Sequence, residues 1–343
     1  MRPSLFTEFR ESTALARTDT ALTTQLRRHY KTDALLTARR GLSRSTCVAL
    51  AWNIQQARVI FKGDPTLIRG VISSAASPNA LAAWGDRQRH WIVVTDGLMT
   101  ALRDAAESNA ARVLAAFPAA FASASGRRLL NATPLQGFDT MAGALLYFGA
   151  MSFVASHELG HHMAGHGAYY NAQEATTLRH RWDVPHALEH QADAIGVGAA
   201  LLSVSKLMHR LFASTVLAPA HGKEQQTLIA IVFTAGVLTM AARLVPAALD
   251  AGHTPNLYRL IRIAAALMRP LRSLTLLDDA TRKSIRLACL EIVLSGQKPV
   301  SDEPIGNRLR GMQSALHDPA FHAYMQQLDA GFLLFRDNLR VSL

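Results

Sequence analysis

Between residues 5 and 40 the apolar positions (Leu5, Phe9, Leu15, Leu22, Leu26, Leu35, Leu36) recur at mixed helical spacing with arginines between them, which predicts one or two surface helices. The pattern then changes. Val59-Ile60-Phe61 and Thr66-Leu67-Ile68 flank Lys62-Gly63-Asp64-Pro65, which reads as a hairpin. Ser77-Pro78-Asn79 reads as a turn. His90-Trp91-Ile92-Val93-Val94-Thr95 is short, β-branched and aromatic and predicts the strongest strand. Asp96 is expected to cap a helix running through Leu102 and beyond. From Thr140 onward helical spacing dominates, with loops expected near 165–186, 218–224, 250–256 and 296–306. The stripe Leu145–Val154 reads as core. Two uncharged runs, 140–156 and 225–242, fall short of the ~20 mostly apolar residues of a spanning helix and read as buried helices. The expected fold class is α+β, mostly helical, with a small early β-sheet followed by helices.

Composition narrows the class. A chain of 343 residues, 49% hydrophobic, buries a sizeable core in one large or two smaller domains. Two cysteines, Cys47 and Cys289, cannot build a disulfide framework or a cysteine-rich zinc site, and point to a reducing compartment. The N-terminal residues have no apolar stretch of the secretory kind, so a cytoplasmic protein is expected. The net charge of +11 is uneven: +5 over 1–44, +2 over 45–254, +5 over 255–300 and −1 over 301–343. This divides the chain into a basic helical arm at 1–45, a core at 46–260 and a helical C-terminal segment at 261–343. Arg259, Arg262, Arg269 and Arg272 share one helix face. That face is most simply a solvated one, and it also offers a hold for an acidic partner or a peripheral contact with a membrane surface. No helix-turn-helix, zinc-finger or aromatic RNA-binding signature accompanies the charge, so no specific nucleic acid is expected.

Seven of the 14 histidines fall between 157 and 190, which concentrates any metal or proton chemistry in one stretch. His157-Glu158-Leu159-Gly160-His161 is an H-E-x-x-H motif at the end of an apolar helix. Four residues apart, the two histidines lie about 40° from each other on one helix face, so both imidazoles can reach one metal ion. Glu158 projects from a neighbouring angle, which suits a base acting on metal-bound water. A catalytic zinc site needs a third protein ligand and one open position. His166 is out of register for the metzincin pattern. A loop histidine, His180 or His186, stays open. Glu189, in Leu188-Glu189-His190-Gln191-Ala192-Asp193, is the favoured candidate, at the opening of a second helix running to about Leu211. Asp193, one turn on, can accept the free N–H of a ligating histidine. His162 reads as a surface residue of the helix, His166 as structural, and His180, His186 and His190 as loop or surface residues.

H-E-L-G-H followed by E-x-x-A-D resembles the gluzincin metallopeptidases of the HtpX and CAAX-prenyl-protease type and, more distantly, the phage-exclusion-type peptidases. Pro78-Asn79-Ala80-Leu81-Ala82 is similar to that family's N-A-F-A segment, and Ile92–Met99 to its I-V-V-T-x-G-L-L segment. His253-Thr254-Pro255 with Arg259 resembles its H-P…R-I segment with one residue inserted. The chain departs from the family by an insertion at Arg103–Met141 and by lacking the usual membrane helices. The resemblance implies a zinc-dependent endopeptidase with one Zn2+ per chain, held by His157, His161 and Glu189 with Asp193 behind them. It implies Glu158 as the base, and Asn79 and Ala80 at a sheet edge that holds an extended protein or peptide substrate. It also implies His253 as the donor to the oxyanion, with Tyr258 and Arg259 behind it. The competing expectation is a zinc-bearing protein of the same fold that binds or regulates without catalysis.

Overall fold

The computed structural model describes residues 4–36, 44–60, 64–120, 138–166, 183–213 and 223–244, together with 278–283 and scattered positions beyond. The elements are α1 (Leu5–Arg17), α2 (Thr20–Tyr30), α3 (Arg44–Ile60), β1 (Ile68–Ser73), β2 (Ala80–Trp84), β3 (His90–Thr95), α4 (Asp96–Ala120), α5 (Phe138–Met163), α6 (Asp183–Ala213) and α7 (Lys223–Leu244). This is the expected α+β, mostly helical class with one three-stranded sheet.

The strand order is β1-β3-β2. β3 runs parallel to β1, with Ile68 opposite His90 and Ser73 opposite Thr95, and antiparallel to β2, with Ala80 opposite Val94 and Trp84 opposite His90. All of β3 beyond His90 is buried, as a central strand requires. The outer edge of β1 is covered, because Leu36 N–H donates to the Ile72 carbonyl at 2.9 Å and Ser74 N–H to the Ala34 carbonyl at 2.9 Å. Among the described residues the other edge, β2, carries no such partner strand.

Side-chain alternation along the strands sorts the two faces. Trp91, Val93, Val71 and Ala83 form one cluster with Ala16 of α1 and Leu22 and Leu26 of α2. Asp19 ties this layer together from between the two helices. It is fully buried and accepts hydrogen bonds from Leu22 N–H, Asp86 N–H and Trp91 Nε1–H at 2.9–3.0 Å. Burial alone would raise its carboxyl, but these donors and Arg89 outweigh it and hold the group below the ordinary value. On the other face Gly70 meets α3, where a Cβ would stand 2.6 Å from Ile54. Arg58, near the end of α3, donates to the Ile68 carbonyl and pairs with Glu8 of α1.

Four expectations change. The hairpin over 59–68 is instead the end of α3 followed by β1. Cys47, Leu50, Ala51, Ile54 and Ala57 supply a buried helical stripe that a β-branched Val59-Ile60 ending disguises. The cap of α4 is Thr95, not Asp96: its Oγ1 accepts from Leu98 N–H at 3.2 Å, while Asp96 lies inside the helix. The two N-terminal helices are not surface elements of a separate arm, since they supply three of the seven buried residues of the Trp91 cluster. The boundaries expected at 45 and 260 also give way. The chain forms two compact units, one of Met1–Thr100, Val154–Gly196 and Leu316–Leu343, the other of Ala101–Phe153 and Val197–Ala315.

The second unit is helical in its described residues. Gly149 lies against Val204 and Val237, and Gly236 against Val113 and Leu146, so glycine lets α4, α5, α6 and α7 approach closely. The stripe from Leu145 onward is core as expected, and α7 is buried from Leu228 through Met240. Thr234 and Thr239 satisfy their hydroxyls on the Ala230 and Ala235 carbonyls of their own helix. No helix among the described residues is long and apolar enough to cross a membrane.

Candidate metal centre

The H-E-x-x-H residues occupy the last turns of α5, and Glu189 and Asp193 lie one turn apart on α6. α6 begins at Asp183, so Glu189 stands in its second turn and not at its opening. The two helices touch where both motifs carry a small residue. A Cβ on Gly160 would stand 2.8 Å from the Ala192 Cα and 3.2 Å from its Cβ. The glycine of H-E-L-G-H and the alanine of E-x-x-A-D therefore set the helix separation that brings Glu189 to the histidines. Gly160→Ala is expected to push α6 away and destabilise the metal-free chain by about 1–3 kcal/mol, read from denaturant unfolding, with metal affinity falling in parallel.

The ligating atoms converge. His157 Nε2 lies 3.2 Å from His161 Nε2 and 3.3 Å from Glu189 Oε2, and His161 Nε2 lies 3.4 Å from Glu189 Oε1. One atom from each of the three residues falls within 4.8 Å of the others. Behind the cluster, His157 Nδ1 lies 3.0 Å from Asp193 Oδ1, an ion-pair contact that turns the Nε2 side of the ring toward His161 and Glu189. Two nitrogens and a carboxylate oxygen around one point are the donor set that Zn2+ takes, so the residues fit the ion. Burial alone would depress the His157 imidazolium, but the carboxylates of Asp193 and Glu189 outweigh it and raise the group to about 10. Two acidic groups thus hold a positive charge at this point, whether a proton or a metal ion carries it.

Glu158, the residue after His157 on α5, is 9% exposed. Burial and the Glu158 charge together raise the Tyr30 phenol well above its ordinary value, which puts a tyrosine of α2 in the field of this carboxylate. Asn79 is exposed at the start of the edge strand. Its backbone is tied to Thr95 at 3.0 Å, and its own Oδ1 accepts from Ala80 N–H at 2.8 Å. His253, Tyr258, Arg259 and the arginine stripe to Arg272 lie outside the described residues, as do Tyr169, Tyr170 and His180. His186 falls within α6, but its side chain is not among those described.

Two histidines differ from expectation. His162 is buried, not on the surface. Its Nε2 lies 3.1 Å from the Trp91 carbonyl and its Nδ1 3.0 Å from His90 Nδ1, and its ring stacks edge-on with Trp84 and His90 at 4.7 Å. The carbonyl fixes the proton on Nε2, so His90 donates to Nδ1. Burial pushes His162 down to about 3, so it stays neutral and anchors the end of α5 to the sheet. His190 is likewise buried, within α6. The sequence missed a third feature as well: His166 is buried against His161. Gly165 adopts φ 69°, and its N–H closes the helix on the His162 carbonyl at 3.2 Å. Such a left-handed glycine reverses the chain after a helix, which returns His166 to the ring of His161. A glycine just past the motif, followed by histidine, was the available signal.

Compared with models of known protein families, with curated proteins and with solved structures, the chain gives no match.

Proposed function

We propose that the chain is a zinc-dependent endopeptidase that hydrolyses peptide bonds in extended protein segments. The observation that carries this reading is the convergence of His157, His161 and Glu189 on one point, with Asp193 against His157 and Glu158 next to His157 in the chain. His157, His161 and Glu189 would hold the ion. When bound, Zn2+ supplies a Lewis acid and lowers the pKa of a coordinated water. Glu158 takes the proton from the attacking water and passes it to the leaving amine. Asp193 keeps the His157 proton on Nδ1 and the ring in plane.

Among the described residues no strand covers the outer edge of β2, although Gln25 takes the Trp84 N–H and C=O and Asn79 takes the Ala80 N–H, so an extended substrate would add along the middle of the strand. Trp84, at the end of that strand, stacks on His162, the residue after the ligand His161, so the edge runs toward the metal ligands. The two buried free cysteines agree with work in the cytoplasm.

Elemental analysis of the purified full chain, paired with mass-spectrometric profiling of a peptide library, tests the reading. The expected result is about one zinc per chain and cleavage that stops on chelation and returns with Zn2+. A chain that takes up zinc stoichiometrically and cuts nothing would instead be a binding protein on the same scaffold. A chain that takes up no zinc would overturn the metal centre.

A further inference from the structure

We propose that His166 is a positioning residue for His161: its neutral imidazole accepts the Nδ1–H of the ligand and so fixes which nitrogen of His161 faces the metal. The inference rests on the metal-centre reading above. His161 Nδ1 and His166 Nδ1 stand 2.8 Å apart, and both rings are buried, His166 completely. Two lone pairs cannot face each other at that distance, nor can two N–H groups, so one ring donates to the other. His166 Nε2 lies 3.2 Å from Gln191 Oε1, which can only accept. The single proton of a neutral His166 is therefore on Nε2, its Nδ1 is an acceptor, and His161 must donate from Nδ1. The lone pair of His161 is left on Nε2, the atom that faces His157 and Glu189.

The two ligand histidines are thus backed differently. His157 rests on the anion Asp193, whereas His161 rests on a neutral ring held by the carboxamide of Gln191, two residues from Glu189. A cationic His166 would donate from Nδ1 and leave the His161 proton on Nε2, where the ion would sit, so the ligand role of His161 itself requires the neutral ring. Both supports reach the site through helix geometry: Gln191 shares α6 with Glu189 and Asp193, and Gly165 turns His166 back onto α5.

The test compares three variants of the full chain for Zn2+ affinity, by competition with a chromophoric chelator, and for the visible spectrum of the Co2+-substituted protein. His166→Phe keeps a ring but has no acceptor. His166→Asn places an amide oxygen where Nδ1 stands, and His166→Gln places its amide where Nε2 stands. The expected result is a ~10–100-fold loss of Zn2+ affinity in His166→Phe, the usual cost of losing an outer partner of a ligand, with an altered Co2+ spectrum. His166→Asn should stay within a few-fold of wild type, and His166→Gln should not. Wild-type affinity and spectrum in His166→Phe, or equal losses in Asn and Gln, would overturn the proposal. If His166→Phe does not fold, the Asn and Gln pair decides it. Glu189→Ala, measured alongside, separates the two readings. Zinc lost there but kept in His166→Phe overturns only the positioning role. Wild-type zinc binding in Glu189→Ala overturns the metal centre, and the positioning role with it.

Discussion

Glutamine in place of Glu158 is expected to lower kcat for peptide hydrolysis by ~10²–10⁴-fold, the usual contribution of a positioned general base, with zinc content unchanged. Glutamine keeps the size of the side chain and its capacity to accept a hydrogen bond, but it cannot take up a proton at neutral pH. The change falls about 100° round the helix from His157 and about 60° from His161, and it keeps the side chain's size, so the histidine pair keeps its geometry. Steady-state kinetics and metal analysis on the same preparation separate the possible roles. Unchanged turnover would remove Glu158 as the base. Loss of zinc would make it part of the ligand set, in conflict with the convergence of His157, His161 and Glu189.

Glu189→Ala is expected to weaken Zn2+ binding by more than the ~10–100-fold that loss of an outer partner costs, because it removes one of three donors and a negative charge. A second readout follows from the same carboxylate. Glu189 and Asp193 both raise His157 against the effect of burial, to about 10. In the metal-free chain His157 therefore carries a proton at neutral pH, and the ion must displace it. The sign is that apparent zinc affinity climbs as pH rises toward 10 and each binding event releases a proton. Removing Glu189 leaves only Asp193 to raise the group, so the His157 titration followed by NMR shifts to lower pH. Wild-type affinity and titration in this variant would place the third donor elsewhere, with His180 and His186 the first to examine.

The parts of this molecule that were legible in the sequence are those whose physics is local. His90–Thr95 announced itself because a central strand needs continuous apolar, β-branched residues. The approach of His157 to His161 is legible because one turn of helix fixes their spacing, and the shared face of Glu189 and Asp193 because their spacing repeats that arithmetic. α3 was misread because its last residues, Val59 and Ile60, favour strands, while its buried stripe is made largely of small side chains such as Ala51 and Ala57. Thr95 displaced Asp96 as a cap because its hydroxyl also holds the Asn79 segment, a contact between distant parts of the chain. The link from Gln191 through His166 to His161 depends on the meeting of two helices, and no spacing along one helix encodes it. The +11 charge, which first suggested a partner, says nothing about the site, since the residues around it are nearly neutral in sum.

Asp19 and Trp91 bear on how such a protein could be controlled. Many hydrolases are kept silent by an N-terminal piece that is later clipped off. Here a cut after Tyr30 would take Leu22 and Leu26 away from Trp91, and would strip the indole N–H and the Asp86 N–H of their shared acceptor. The sheet that anchors His162 would lose one of its two covered faces. Trimming that removes the first two helices would therefore undo the layer that supports the sheet to which His162 is bound.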